Sequence, residues 1–270
     1  MAIWYRGLGL EAALDAIGQV WDNSWDTDDY RTLEKCARTF MAYIDKYPSE
    51  PFTIVGAPEL PIVEQTFALE TGWHCGCTNC GFWNEDPLLP SCLRCLTPLE
   101  PIEYGGILDT LISFSGTIYV LDHKSTSVVA PVKGGYFFDQ FKPDNQMTGY
   151  IWAGSKLSGG KCAGAMVNAI AMNKSEVAFN RGITTRTEGD IHEWLISLRA
   201  HATQIMADKS RGVFPLRTVN CVGKYGKCQF HSVHTLSDPT DRVRRLEQDY
   251  IREPWDFERR DALPEAATSE

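Results

Sequence analysis

The stretch from Gly105 to Thr126, GGILDTLISFSGTIYVLDHKST, leaves little choice of local structure. Two runs rich in Ile, Leu, Val, Thr and Tyr flank Ser115-Gly116, a turn pair of the same kind as Asn-Gly. In an antiparallel hairpin with an even loop centred there, facing residues have numbers that sum to 231, so Asp109 and Asp122 stand opposite each other. Facing Cβ atoms lie roughly 4.5–5.5 Å apart. Strand alternation puts Asp122 and Lys124 on one face and turns His123 to the other. Two carboxylates about 5 Å apart repel by roughly 3 kcal/mol at an effective dielectric near 20. A divalent cation such as Mg²⁺ or Mn²⁺ removes that repulsion, because hard cations take carboxylate, carbonyl and phosphate oxygens. The backbone carbonyl of His123 could add a ligand, and Lys124 would reach a phosphate or a coordinated water. These are the parts that phosphodiester hydrolysis needs. The competing reading is an exposed hairpin with scattered charges. Asp-x-Lys strings are common, and it is the cross-strand match that favours a site.

Other segments supply companions for that pair. The run LGLEAALDAIGQV, residues 8–20, places Leu10, Leu14 and Ile17 on one helical face with Glu11 beside them. VEQTFALE alternates as a strand, with Glu64 on the side of Thr66 and Ala68. Gln146 and Tyr150 are four apart on a helix spanning about 144–157, hence on one face. Taken together, Gly106 and Asp109, then Asp122-His123-Lys124, resemble the core of the PD-(D/E)XK nucleases, and the RecB-like branch with its phage exonucleases most of all. Gly7 with Glu11 and Leu14, Val63-Glu64 with Phe67, and Gln146 with Tyr150 are similar to further motifs of that branch. The resemblance covers roughly residues 5–234.

It implies a restriction-endonuclease-like α/β fold, a mixed β-sheet flanked by helices, with an inserted zinc ribbon. It also implies a metal-dependent DNA nuclease, with Glu11, Asp109, Asp122 and the His123 carbonyl holding Mg²⁺ or Mn²⁺. Lys124 would be the catalytic lysine, and Gln146 and Tyr150 would contact DNA or that lysine. An exonuclease in DNA recombination, repair or phage DNA processing is the expectation, in the cytoplasm of a bacterium or a phage-infected host cell. DNA is the expected substrate, with a recombinase, helicase or single-strand-annealing protein as a partner. A non-catalytic nucleic-acid-binding module on the same fold, or a structure-specific or CRISPR-adaptation endonuclease, stays open. Members of the branch carry more chain before the first helix, so an N-terminally shortened version is expected.

Nine cysteines are an odd number, and five fall between positions 75 and 95. Cys77-x2-Cys80 and Cys92-x2-Cys95 are two knuckles, each presenting two thiolates to one ion, which together complete a tetrahedral zinc site. Cys75 and His74 are spare ligands, so a register with Cys75 and Cys80 stays open. The segment 72–98 lies between two core strands and reads as a zinc-ribbon insertion. At the far end, residues 220–234 resemble the C-terminal cysteine cluster that holds a [4Fe–4S] centre in many RecB-like nucleases. Cys221 and Cys228 match it, but His234 stands where the last cysteine would be. Zinc held by Cys221, Cys228, His231 and His234, or no metal at all, are the alternatives.

The chain has 270 residues, 43% of them hydrophobic, and a net charge of −9, which suits a globular protein and excludes a basic coat for nucleic acid. No apolar run reaches the length of a membrane span. A nuclease domain over 1–234 and a charged tail over 235–270 are expected. Helices are expected at 28–47, 187–211 and about 241–251, strands at 53–55, 62–70 and 164–172 with a continuation at 176–179, and a loop at 127–135. Lys174, Arg181 and Arg186 are candidate phosphate contacts.

Overall fold

A computed structural model describes residues 1–21, 32–57, 60–213, 221–223 and 226–252. Its centre is the hairpin of β5 (Pro101–Phe114) and β6 (Thr117–Thr126). Ser115 and Gly116 both take positive φ, 50° and 76°, as a type I′ turn demands. The ladder runs from Phe114 opposite Thr117 to Thr110 opposite Leu121, the register expected from the turn.

Before β5 come three helices, α1 (Ala2–Tyr5), α2 (Gly9–Val20) and α3 (Leu33–Lys46), and then β1 (Phe52–Ile54), β2 (Gly56–Ala57), β3 (Leu60–Pro61) and β4 (Val63–His74). Thr32 caps α3; the expected start at 28 lies outside the described residues. β1 and β4 share one edge of β5, β1 at residues 112–114 and β4 at 101–110. After β6 the chain crosses over through α4 (Val129–Gly134), a 3₁₀ turn (Tyr136–Phe141) and α5 (Asn145–Leu157). It returns as β7 (Cys162–Met172), parallel to β6, and β8 (Val177–Thr185) closes the sheet antiparallel to β7. The result is a six-stranded mixed sheet with helices on its faces.

Two expectations are corrected here. Residues 127–135 were expected to loop, yet Val129 and Val132 anchor the short α4 in a small apolar cluster with Ala169, Ala171 and Ala178. Pro131 reads as a breaker, but it sits in the first turn, where no backbone donor is needed. The segment 176–179 does not continue β7. Asn173 accepts from the Ser175 and Glu176 amides, turning the chain back into β8.

The longest helix among the described residues, α6 (Glu188–Arg211), begins with a capping box, Thr187 and Asp190 exchanging bonds, and ends at Gly212 in the left-handed region. β9 (Val222–Gly223), β10 (Gly226–Lys227), α7 (His231–His234) and α8 (Pro239–Asp249) follow. α7 and α8 meet across the boundary expected at 234, with Phe230 stacked on Tyr250.

The sheet's alternation sorts the core. Leu111 and Val120 face α5 and α6, packing with Met147, Ile151, Trp152 and Trp194. Ile112 and Leu121 face the other way, onto Tyr5 and Phe52. Gly149 lets α5 lie close on β5, because a Cβ there would collide with the Tyr104 hydroxyl.

Candidate functional site

Between β5 and β6 the ladder stops at Thr110 and Leu121, one pair short of Asp109 and Asp122. Here the strands part, and the Asp109 carboxylate stands in for the missing ladder acceptor: its Oδ2 takes the His123 backbone amide at 2.8 Å. Asp122 is only 2% exposed. Lys124 Nζ donates to its Oδ1 at 3.2 Å and lies 2.9 Å from its Oδ2, which has no hydrogen-bond donor of its own. The same ammonium donates to Gln146 Oε1 at 2.9 Å, and Gln146 Nε2 donates to the Tyr150 hydroxyl at 3.1 Å. Asp122, Lys124, Gln146 and Tyr150 thus form one chain of contacts from β6 to α5, on the face the alternation assigns them.

Burial pushes the Asp122 carboxyl up to about 6, with Asp109 and Asp144 adding to the rise and Lys124 opposing it. Burial also raises Asp109, against the His123 amide and Lys124. Two recessed carboxylates are therefore short of positive charge even with a lysine present. Hard oxygen donors in that condition fit a divalent cation.

Glu11 and Glu64 do not complete the pair. Among the described residues, the only group of three or more His, Cys, Asp or Glu donors lying within 4.8 Å of one another is a set of cysteines. Glu11 is exposed on α2, which packs on α1 and α3. Glu64 occupies the β4 register position across from Asp109, between the pairs Val63 with Thr110 and Gln65 with Leu108. Its φ of 50° kinks β4 there.

His123 points to the opposite face, as alternation requires. Its ring stacks on Tyr5, with centroids 5.5 Å apart, and Nδ1 lies 2.7 Å from the Asn168 amide nitrogen. Asn168 donates to the Tyr43 hydroxyl and accepts from Arg181, which forms a bidentate pair with Glu50 at 2.6 and 2.8 Å. Burial drives the His123 pKa down to about 3, so the ring is neutral near pH 7. This network was not expected. Its members are more than a hundred residues apart in places, and Arg181, a candidate phosphate contact in the sequence, is committed to Glu50 instead. Arg186 is likewise occupied, bonded to Thr148, Thr184 and the Phe141 carbonyl.

The cysteine arm, the loop between β4 and β5, forms the tight group. Cys77, Cys80, Cys92 and Cys95 bring their sulfurs together, with Cys77–Cys95 and Cys80–Cys92 separations of 3.6 Å. Tetrahedral zinc with Zn–S bonds of about 2.3 Å sets neighbouring sulfurs about 3.8 Å apart. The four thiols can hold a metal ion such as zinc. Each knuckle folds alike: Gly81 donates to the Cys77 carbonyl and Leu96 to the Cys92 carbonyl, both with positive φ. The Thr97 hydroxyl and amide hold Cys95 well below the usual thiol range. Cys75 is buried outside the group, which settles the register. Cys221, Cys228, His231 and His234 do not gather into a cluster of this kind.

The arm is fastened to α6 by Arg199, 3% exposed. Its guanidinium donates to the His74 and Asn84 carbonyls at 2.7 and 2.9 Å and lies over the Trp83 ring. Thr203 accepts the Gly76 amide at 2.8 Å.

Comparison with protein-family models and with curated proteins returned no match. Among the described residues, no helix is long and apolar enough to cross a membrane.

Proposed function

We propose that this protein is a metal-dependent nuclease that hydrolyses phosphodiester bonds in DNA, with a restriction-endonuclease-like core. The observation that carries the reading is the recessed Asp109–Asp122 pair with Lys124 bonded to Asp122 and to Gln146. The mixed sheet, with β6 joined to parallel β7 by a helical crossover, is compatible with that core.

Asp109, Asp122 and the His123 carbonyl would hold Mg²⁺ or Mn²⁺. When bound, such an ion supplies charge neutralisation for the phosphate and acidifies water at neutral pH. The rest falls to the chain's own groups. Asp109 fixes the His123 peptide through its amide. Lys124 presents an ammonium to an incoming phosphoryl oxygen or to the attacking water, held in line by Gln146. Tyr150 holds Gln146 from behind. Burial keeps competing water from the carboxylates and strengthens every electrostatic contact. In the cysteine arm, zinc would serve as a staple.

The test is DNA cleavage by the purified protein on linear and circular substrates, with Mg²⁺, Mn²⁺ or EDTA. We expect metal-dependent cleavage, lost on the order of a hundredfold or more in Asp122→Ala and Lys124→Ala. Cleavage that survives both substitutions, or that ignores EDTA, removes the proposed site. Tight DNA binding without cleavage under any condition favours a binding module.

A further inference from the structure

We propose that the cleft between β5, α5 and α6 is a binding pocket for a single unpaired nucleobase with its sugar, next to the phosphate held at Asp122 and Lys124. The proposal rests on the nuclease reading and names the form of DNA that it takes.

Four observations point there. First, the cleft adjoins the site through shared residues: Gln146 and Tyr150, the relay behind Lys124, also line it. Second, its chemistry suits a base. Tyr104, Trp194 and Leu198 give it apolar walls, while Asn145, Ser197 and His201 bring polar groups. Third, β6 pairs with β5 only at residues 110–114. The β5 edge at Gly105 and Gly106 therefore meets no strand on that side among the described residues. It can present backbone donors and acceptors to a base edge without a side chain in the way. Fourth, size selects the occupant. The cleft measures about 420 Å³. Ligand pockets run from about 300 to 1,000 Å³, and this one suits one nucleotide. A base paired in a duplex reaches it only by leaving its stack.

The shared residues set the geometry of entry. A phosphate met by Lys124 brings its neighbouring base to the mouth of the cleft beside Gln146 and Tyr150. An unpaired base can enter without first leaving a stack, and aromatic walls hold any base by its face. The protein thus takes frayed or single-stranded ends in preference to paired DNA.

The test uses oligonucleotides with 2-aminopurine at an unpaired terminus, one set for each end, and blunt duplexes with the same base paired. Binding is read by fluorescence in EDTA, where no cleavage occurs. The full chain should bind unpaired ends at least about tenfold more tightly than blunt ones, with the fluorophore's emission altered by stacking. Ser197→Trp fills the cleft from an exposed position on α6 and should abolish that preference. His201→Trp, one turn further on, does the same if the first variant folds poorly, which circular dichroism reports. Equal affinity for frayed and blunt ends, or a filled cleft that binds unpaired ends like wild type, overturns the proposal. Cleavage with Mn²⁺ separates the two readings. If wild type cleaves and the filled variants keep its KM on unpaired ends, the pocket is wrong and the nuclease stands. If wild type never cleaves but shows the end preference and loses it on filling, the pocket stands and the nuclease falls.

Discussion

At Asp122, burial and function oppose each other. Its carboxyl titrates near 6 in the fold, against about 3.9 in an unfolded chain. Between those values the folded state binds the extra proton at this carboxyl, so the Asp122 contribution to metal-free stability falls as pH rises through about 4 to 6 and levels off above. Asp122→Asn removes that titration. Measured without metal, the variant should gain on wild type across the same window, by on the order of 1–3 kcal/mol at pH 7. Added Mg²⁺ should raise the melting temperature of wild type and leave the variant unmoved. A stability difference that does not change between pH 4 and 7 contradicts this account of Asp122. His123, its neighbour, works the other way: buried and neutral down to about pH 3, it takes up a proton below about 6.5 only on unfolding, so its own contribution rises with pH, and the difference between wild type and Asp122→Asn isolates the carboxylate.

Among the elements, β6 divides two environments: the acidic pair and Lys124 on one side, the His123, Asn168, Tyr43, Arg181 and Glu50 network on the other. The network pins α3 and β8 to the back of β6 and β7, and so fixes the strand that carries the site. Glu50→Gln keeps the shape but leaves Arg181 as a buried charge without its counterion. We expect a loss of about 3–5 kcal/mol, read by chemical denaturation. What was legible in the sequence divides along the same line. The hairpin register could be read because a two-residue turn fixes it locally, and the Gln146–Tyr150 pair because helical spacing does. The cysteine knuckles were legible because ligand spacing is itself geometry. The buried network was not, since Glu50 and Arg181 meet only through the tertiary fold and each alone looks like a surface residue. The place of Glu11 relative to the pair was not legible for the matching reason. Helical periodicity names the face of α2 but not where that helix leans.

For the molecule as a whole, a net charge of −9 bears on how DNA would be held under the proposed function. An excess of acid opposes phosphates over the surface as a whole, and Lys124 is the cation of the proposed site. Binding of a single strand should therefore depend weakly on salt. With one to three phosphates neutralised, log K against log[salt] should slope about −1 to −2, since each phosphate contributes about −0.7. A slope steeper than about −4 would mean an extended basic surface elsewhere on the protein.

Arg199 carries a consequence for how this chain can change. Its positive charge is sealed between α6 and the cysteine arm, answered by two main-chain oxygens of that arm and by the Trp83 ring. Excising the arm would strip a cation of its acceptors in the middle of α6, whose neighbouring face supplies Trp194, Ser197 and His201 to the cleft wall. The insertion and that cation are therefore bound to persist together, and a version lacking the arm should carry a neutral side chain at position 199.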